Sequence, residues 1–233
     1  MSHQNEWGQP IDFPVKGWQP PPAPEGKRLE GKFCSLEPLT EKHAPDLFTA
    51  NSLDDGQMWT YMSYGPFETL QDYQQWLKRV TGGSDPLFYA ILSEEQKAVG
   101  VASYLRIVPL SGSIEVGHIA YSPLLQKTTA ATEAMFLMMR HAFELGYRRY
   151  EWKCDALNAG SRRAAERLGF VFEGIFRQAT VYKGRNRDTA WFAVVDKDWP
   201  RLEAVFHAWL RPDNFDVEGR QKQRLNDFIE GDR

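Results

Sequence analysis

Residues 114–132 have the sequence Ile-Glu-Val-Gly-His-Ile-Ala-Tyr-Ser-Pro-Leu-Leu-Gln-Lys-Thr-Thr-Ala-Ala-Thr. The half-alternating, β-rich segment from Ile114 to Tyr121 predicts a strand, and Pro123 ends it because proline has no donor for a sheet ladder. From Ala131 onward the apolar residues recur at helical spacing, which predicts a well-buried helix over residues 130–145. The loop between strand and helix leaves backbone N–H groups free at a helix N-terminus. Such a terminus is a ready binding site for an anion such as a pyrophosphate.

Composition places the chain among ordinary globular proteins. It has 233 residues, of which 25% are charged and 42% hydrophobic, and its formal net charge is −3. This length suggests one domain with extensions and is enough to bury a sizeable core. The net charge provides no global attraction to nucleic acid or to an anionic membrane, and no apolar run approaches the roughly 20 residues of a membrane helix.

The compartment is predicted from the cysteines and the N-terminus. Cys34 and Cys154 are too few for a disulfide framework or a cysteine-rich metal site, so we expect two reduced thiols. Residues 1–10 are polar and carry no apolar signal core. A cytoplasmic protein without a metal is the resulting expectation.

Residues 1–30 form a proline-rich N-terminal arm that contains Trp7, Phe13 and Trp18. Proline-rich segments favour extended structure over helix. Two interpretations stay open: the aromatic residues pack along the domain or onto a second subunit, as in a homodimer, or the arm is a partly disordered leader.

Further elements are predicted outward from the central stretch. A strand–helix–strand order around residues 130–145 implies a right-handed crossover and a parallel pair of strands, 114–121 and 150–154. The other elements follow from alternation, capping residues and turn signals. They are strands at 31–39, 87–92, 98–107, 171–182 and 189–195, and helices after Thr40, over 68–80 and after Asn158, with a loop at 183–188 between the last two strands.

Three motifs together resemble the GNAT N-acetyltransferases, and within them the RimJ/RimL-type ribosomal-protein N-terminal acetyltransferases. The first is the loop Gln126–Ala131, similar to the family's Gln/Arg-x-x-Gly-x-Gly/Ala, although Thr129 stands where glycine is usual. The second is Asn158-x-x-Ser161 followed by Arg-Leu-Gly-Phe at 167–170. The third is a terminal hairpin that carries Asp188 and ends near Trp199.

The resemblance implies an α/β (α+β) fold. Its central sheet is mixed, mostly antiparallel and of about seven strands, with strands 114–121 and 150–154 parallel and splayed, and helices flank it. The acetyltransferase domain would span residues 31–199, and residues 200–233 would form a helical extension with solvated polar faces.

The resemblance also implies acetyl-CoA as co-substrate and assigns residues to it. The backbone of Ile119, Ala120 and Tyr121 would pair with the pantetheine arm. Asn158 would face that arm or simply cap the following helix, and Arg162 would reach a phosphate. The pyrophosphate would be held by the loop and the first helical turn: Gln126, Lys127, Thr128, Thr129, Ala130, Ala131 and Thr132.

Three residues are candidates for proton transfer. In the resembled branch the serine of Asn-x-x-Ser is the proposed acid, which indicates Ser161; the alternative is a helix N-cap. Glu115 matches the family's Glu-Ile-Gly motif, and His118 has the better unperturbed pKa for a base. A regular strand would point these two side chains to opposite faces, unless a bulge lies between them.

The acyl acceptor is predicted to be a primary amine, either a protein N-terminus or a small amine. By analogy with the family, Trp59, Tyr61 and Tyr64 would wall its pocket, whereas aromatic clusters are more commonly core. A non-catalytic acyl-CoA-binding or regulatory module is the alternative, because the loop is atypical and the tyrosine acid of many GNAT enzymes is replaced by Ala165. A nucleic-acid-binding domain is disfavoured, since the chain has no basic stripe.

Overall fold

The strand at residues 113–121 lies inside an eight-stranded sheet in a computed structural model that describes residues 3–231. Along the sheet the strand order is β3-β4-β5-β6-β7-β8-β10-β9, and β1 and β2 form a separate two-stranded ladder. The strands are β1 (His3–Gln4), β2 (Pro10–Ile11), β3 (Leu29–Glu30), β4 (Ser35–Pro38), β5 (Leu87–Leu92), β6 (Ala98–Val108), β7 (Ser113–Tyr121), β8 (Arg149–Asp155), β9 (Val171–Tyr182) and β10 (Arg185–Val195). The helices are α1 (Ala44–Asn51), α2 (Leu70–Val80), α3 (Thr129–Glu144), α4 (Ala159–Arg167), α5 (Trp199–Trp209) and α6 (Leu225–Gly231).

The predicted fold class is confirmed. Strands β5, β6 and β7 form the expected antiparallel meander, and β7 and β8 are the parallel pair. The sheet has eight strands rather than about seven, because the two residues of β3 pair with β4 at its edge.

Helices cover both faces of the sheet. On one face α3 and α5 pack over a core that includes Tyr104, Ile114 and Phe192. On the other face α1 and α2 pack over a smaller cluster that includes Phe88. Alternation along each strand sends successive side chains to these two cores, which explains why the central strands are apolar on both faces.

The first strand is shorter than the predicted 31–39. Residues 31–34 turn instead, and the carboxylate of Glu133 on α3 accepts hydrogen bonds from the N–H groups of Lys32, Phe33 and Cys34. A Cβ on Gly31 would lie 2.5 Å from a Glu133 oxygen, so glycine is required for this close approach.

The last hairpin has a tighter turn than the predicted loop at 183–188. Only Lys183 and Gly184 connect β9 to β10, with φ of 47° and 69°. Two central residues with positive φ make the type of turn whose twist matches that of a hairpin. The hairpin itself is as predicted, but the predicted loop was too long, because the polar residues 185–187 pair with β9 without the apolar alternation that indicates a strand.

The two ends of the chain are partly integrated into the domain. At the N-terminal end Trp18 lies beneath the Arg148 guanidinium, whereas Trp7 and Phe13 are exposed. At the C-terminal end α5 buries Trp199, Leu202 and Phe206 in the main core, so the expected boundary at residue 200 falls inside this helix. Its apolar face is therefore core, whereas the sequence suggested only solvated polar faces.

Candidate active site

A cavity of about 730 Å³ opens where the two parallel strands separate. Strands β7 and β8 pair only over residues 113–116 and 149–152. Beyond Val116 the edge of β7 that faces β8 has no strand partner, so its backbone groups can pair with an extended ligand. Residues 116–121 line this cavity, among them Ile119, Ala120 and Tyr121.

One end of the cavity is the loop that precedes α3. Thr128 is the N-cap of α3, and its hydroxyl accepts a hydrogen bond from the Ala131 N–H at 3.1 Å and donates to the Leu125 carbonyl at 2.7 Å. The first N–H groups of an α-helix have no intrahelical acceptor, and the helix dipole makes this terminus favourable for anions. Lys127 adds a positive charge beside it. The loop therefore suits a pyrophosphate despite the missing glycine.

A β-bulge at His118 shapes the middle of the cavity. Gly117 pairs with Ser103 and Ala120 pairs with Val101, so His118 and Ile119 both stand opposite one residue of β6. His118 has φ of 49°, a left-handed conformation that histidine tolerates better than most residues. The bulge changes which face each side chain meets and brings His118 to the same cavity as Glu115.

Glu115 is held in a buried ion-pair cluster. Its two oxygens lie 2.7 Å from an Arg106 guanidinium nitrogen and 2.9 Å from Lys153 Nζ. Burial raises the pKa of the Glu115 carboxyl above its ordinary value, and the charges of Arg106 and Lys153 offset part of that increase. Glu115 thus faces the cavity with its position set by two cations.

His118 is neutral at neutral pH. Burial, together with the charge of Arg106, lowers the pKa of His118 to about 4. Its ring stacks on Tyr64 with a centroid separation of 5.7 Å and contacts Phe88 at 4.8 Å. A neutral imidazole can accept a proton, although a low pKa makes it a weak base.

Ser161 lies on the opposite wall, in the first turn of α4. The Asn158 side chain accepts a hydrogen bond from the Ser161 N–H at 3.0 Å, so Asn158 is the N-cap of this helix. The interpretation of Ser161 as the cap is therefore wrong. The Ser161 Oγ instead accepts a hydrogen bond of 2.9 Å from Trp152 Nε1, and the Ser161 hydroxyl hydrogen is within reach of the buried Cys154 thiol.

The other end of the cavity is walled by the segment after α1 and roofed by the β9–β10 hairpin. Lys183 Nζ donates to the Trp59 carbonyl at 3.0 Å, and Arg185 donates to the Thr60 carbonyl at 2.8 Å. The Tyr61 hydroxyl donates to the Leu157 carbonyl at 3.2 Å. These three hydrogen bonds join the hairpin and the β8–α4 loop to residues 59–61 over the cavity.

Most of the predicted site residues meet at this cavity. Those that line it are Glu115, His118, Ile119, Ala120, Tyr121, Gln126, Lys127, Thr128, Ala131, Asn158, Ser161, Tyr61 and Tyr64. Five others are not among its lining residues: Trp59, Thr129, Ala130, Thr132 and Arg162.

Three of these five residues, Trp59, Arg162 and Thr132, make other contacts in the structure. Trp59 is 4% exposed and packs edge-on against Phe67, so it belongs to the aromatic core beneath the pocket. Arg162 lies over the Phe172 ring and donates to the Ala156 carbonyl, so these contacts engage its guanidinium outside the cavity lining. Thr132 accepts a hydrogen bond from Arg167, which does line the cavity.

Sequence reasoning missed several charged lining residues. They are Arg106, Lys153, Asp155, Arg167 and Arg187. The one available signal was a charged residue inside an otherwise apolar strand, as with Lys153 between Trp152 and Cys154. Within residues 3–231 no group of three or more His, Cys, Asp or Glu side chains is placed to hold a metal ion. In the same range no helix is long and apolar enough to cross a membrane.

Comparisons with known proteins agree with this geometry. The family described as "Acetyltransferase (GNAT) domain" matches residues 35–171, more than half of the chain. A ribosomal-protein-serine acetyltransferase of Escherichia coli is 26% identical over 152 residues, which cover 62% of this chain and 82% of that protein.

Solved structures show the same relationship. A GCN5-related N-acetyltransferase from Brucella melitensis is 48% identical, with a TM-score of 0.91 over 93% of this chain and all of that one. A probable GNAT-family acetyltransferase from Chromobacterium violaceum is 40% identical, with a TM-score of 0.77 over 82% of this chain and 98% of that one. The family match, the splayed strands and the cavity between them agree with the ribosomal-protein branch that the motifs predict. The chain belongs to the GNAT acetyltransferases and is an acyltransferase enzyme.

Proposed function

We propose that this enzyme transfers an acetyl group from acetyl-CoA directly to a primary amine, either a protein N-terminus or a small amine. The observation that carries the proposal is the continuity of one cavity. It runs from the N-terminus of α3, beside Lys127 and Thr128, past the open edge of β7 to Glu115, His118 and Ser161. An extended thioester and an amine can therefore meet in one enclosed space. The cytoplasm is the proposed compartment, since Cys34 and Cys154 are both buried free thiols.

The residues present fit acetyl-CoA. The unpaired edge of β7 at residues 117–121 suits the amide groups of a pantetheine arm, and the α3 terminus suits its pyrophosphate. When bound, acetyl-CoA supplies an acetyl group activated as a thioester. In this proposal, a backbone N–H group near Ile119 and Ala120 would stabilise the negative charge that develops on the thioester oxygen.

Proton transfer is assigned to side chains on either wall. A protonated amine must lose a proton before it attacks, and Glu115 is the proposed acceptor through a water molecule, with His118 second. The two cations on Glu115 weaken it as a base, whereas its burial strengthens it. Ser161 is the proposed donor to the leaving thiolate, with its hydroxyl turned from Cys154 to that sulfur.

The test is a screen of acetyl-CoA consumption against small primary amines and N-terminal peptides, with mass spectrometry of the products. The expected result is an N-acetylated amine formed with stoichiometric free CoA. Cofactor binding is measured in parallel by calorimetry and thermal shift, because a ligand specific to the folded state raises the melting temperature. Binding of acetyl-CoA without transfer to any amine would contradict the proposed transfer. Absence of binding at millimolar acetyl-CoA would also contradict acetyl-CoA as the co-substrate.

A further inference from the structure

Nearly every cation near the acceptor end of the cavity has a partner. Arg106 and Lys153 both pair with Glu115, and Lys153 also pairs with Glu151 at 2.7 Å. On the hairpin, Lys183 and Arg185 donate to backbone carbonyls of the opposite wall. These four side chains are therefore satisfied without a ligand.

Arg187 is different. It lies on β10, where it pairs with Thr180 of β9, and it lines the cavity. Among residues 3–231 no carboxylate oxygen lies within 4.0 Å of its guanidinium, and its Nε is shielded from solvent with no hydrogen-bond partner. Its guanidinium carbon lies 6.0 Å from the centroid of the Tyr182 ring, and its charge offsets part of the increase that burial causes in the pKa of the Cys154 thiol.

Asp155, which lines the same cavity as Arg187, already accepts other hydrogen bonds. Asp155 is 5% exposed, and it accepts hydrogen bonds from the Leu157 N–H at 2.8 Å and from the Tyr182 hydroxyl at 2.9 Å. These bonds hold Asp155 to the turn before α4 and to Tyr182 of β9, and within residues 3–231 Asp155 forms no ion pair with Arg187. A buried donor without a partner is costly, and a guanidinium presents five donors in a planar fork that matches a carboxylate.

We propose that Arg187 binds a carboxylate carried by the amine acceptor, so that the enzyme selects acceptors that bear both a primary amine and a nearby acid. This inference rests on the proposed acetyl transfer to an amine. The ligand is the acceptor rather than the cofactor because of where Arg187 lies. It is part of the hairpin that roofs the pocket beside Tyr61, whereas a cofactor phosphate has its site at the α3 terminus beside Lys127 and Thr128.

The experiment compares acceptors that differ only in the acid. The matched pairs are β-alanine with β-alaninamide, and amidated N-terminal tetrapeptides with Asp or Asn at the second or third position. We measure kcat/KM of the wild type, R187Q and R187K with saturating acetyl-CoA. The control is R177Q, which removes an exposed cation from the same hairpin outside the cavity lining.

The expected result is a wild-type preference for the acid member of at least one pair by about tenfold or more, as a charge-assisted, bidentate contact gives. R187Q reduces that preference to about twofold or less, mainly through KM, and R187K retains part of it because lysine keeps the charge without the fork. R177Q keeps the wild-type ratio. Melting curves of each variant confirm that the fold is intact.

Three outcomes would overturn the inference. The first is an equal kcat/KM of the wild type for the acid and amide members of every pair. The second is an R187Q variant that keeps the wild-type ratio of kcat/KM between acid and amide members. The third is an R187Q variant that keeps this ratio but loses affinity for CoA, which would assign the guanidinium to a cofactor phosphate. Acetylation of the amide members by the wild type shows that the proposed function stands even if this inference fails. Acetylation of no amine at all refutes the proposed function instead.

Discussion

The indole Nε1 of Trp152 lies 2.9 Å from the Oγ of Ser161 and donates a hydrogen bond to it. Trp152 is the last residue of β8 that pairs with β7, so the contact stands at the point where the strands separate. Because the indole can only donate, the Ser161 oxygen must accept, and its hydrogen is directed elsewhere. Trp152 is therefore a positioning residue for the proposed proton donor.

Substitution of both partners tests this relationship. Ser161→Ala should lower kcat by about 100-fold, as expected for loss of a general acid, with little change in acetyl-CoA affinity. Trp152→Phe should lower kcat by about fivefold, equivalent to about 1 kcal/mol for one lost hydrogen bond. In the double mutant Trp152→Phe should have no further effect, since it acts through Ser161. An equal fivefold loss on both backgrounds would show that Trp152 acts independently of Ser161.

Thr129 is the first residue of α3, and its substitution tests the anion site. Thr129→Glu should weaken CoA binding by about tenfold or more through charge repulsion, measured by calorimetry. The same substitution should not destabilise the protein, because a carboxylate at a helix N-terminus is favourable to the helix by about 0.3–1 kcal/mol. Thr129→Gln is the matched neutral control. Unchanged affinity in Thr129→Glu would contradict a phosphate at the first turn of α3.

The choice of base is tested by pH profiles. Glu115→Gln should lower kcat/KM by about 100-fold and remove or displace the acidic limb of the profile. His118→Asn should have a smaller effect, and asparagine suits the positive φ at this position. Melting curves are needed for Glu115→Gln, because Arg106 and Lys153 lose their charged partner. A full rate and an unchanged profile in Glu115→Gln would mean that Glu115 is structural.

His118 also makes stability depend on pH. Its folded-state pKa of about 4 lies below the unfolded value of about 6.5, so between these values the unfolded chain binds more protons. The free energy of unfolding should therefore rise with pH from about 4 to about 6.5 and lose this contribution as the pH falls. Urea denaturation at several pH values should show a flatter profile for His118→Asn than for the wild type. Identical profiles would mean that His118 is not held neutral.

Glu133 links α3 to the turn at residues 32–34, and its loss should reduce stability without reducing activity. Glu133→Gln should cost about 2–3 kcal/mol, because a buried carboxylate that accepts three N–H groups is replaced by a group with one acceptor oxygen. Glu144→Gln is the surface control and should cost less than about 0.5 kcal/mol, since the Glu144 side chain is exposed and lies 3.5 Å from Arg140. A loss of kcat/KM in the folded Glu133→Gln protein would contradict a purely structural role.

Much of the fold was predictable from local signals. Alternation and turn residues predicted the meander β5–β7, and helical spacing predicted α3, because burial imposes the same periodicity on the sequence that it imposes on the structure. The motifs around Gln126 and Asn158 predicted the family, and the family match confirms it.

The finer site depended on contacts between residues far apart in the chain. The bulge that turns His118 into the cavity arises from its pairing with β6, and no residue within β7 specifies it. Ser161 accepts a hydrogen bond from Trp152, which lies on another element. The sequence alone therefore could not decide whether Ser161 is a helix N-cap or a candidate proton donor. Arg187 gave no signal at all, because an arginine near a hairpin tip is usually solvated.

By itself the sequence determined the order of elements, the parallel pair and the acyltransferase family, since these follow from periodicity and short motifs along the chain. Only the tertiary structure decided which charges meet. Arg106 and Lys153 come from different strands and both pair with Glu115. Asp155 accepts a hydrogen bond from Tyr182, and Arg187 lines the cavity. Electrostatic partners are set by distances of a few ångströms in space, and chain separation carries almost no information about them.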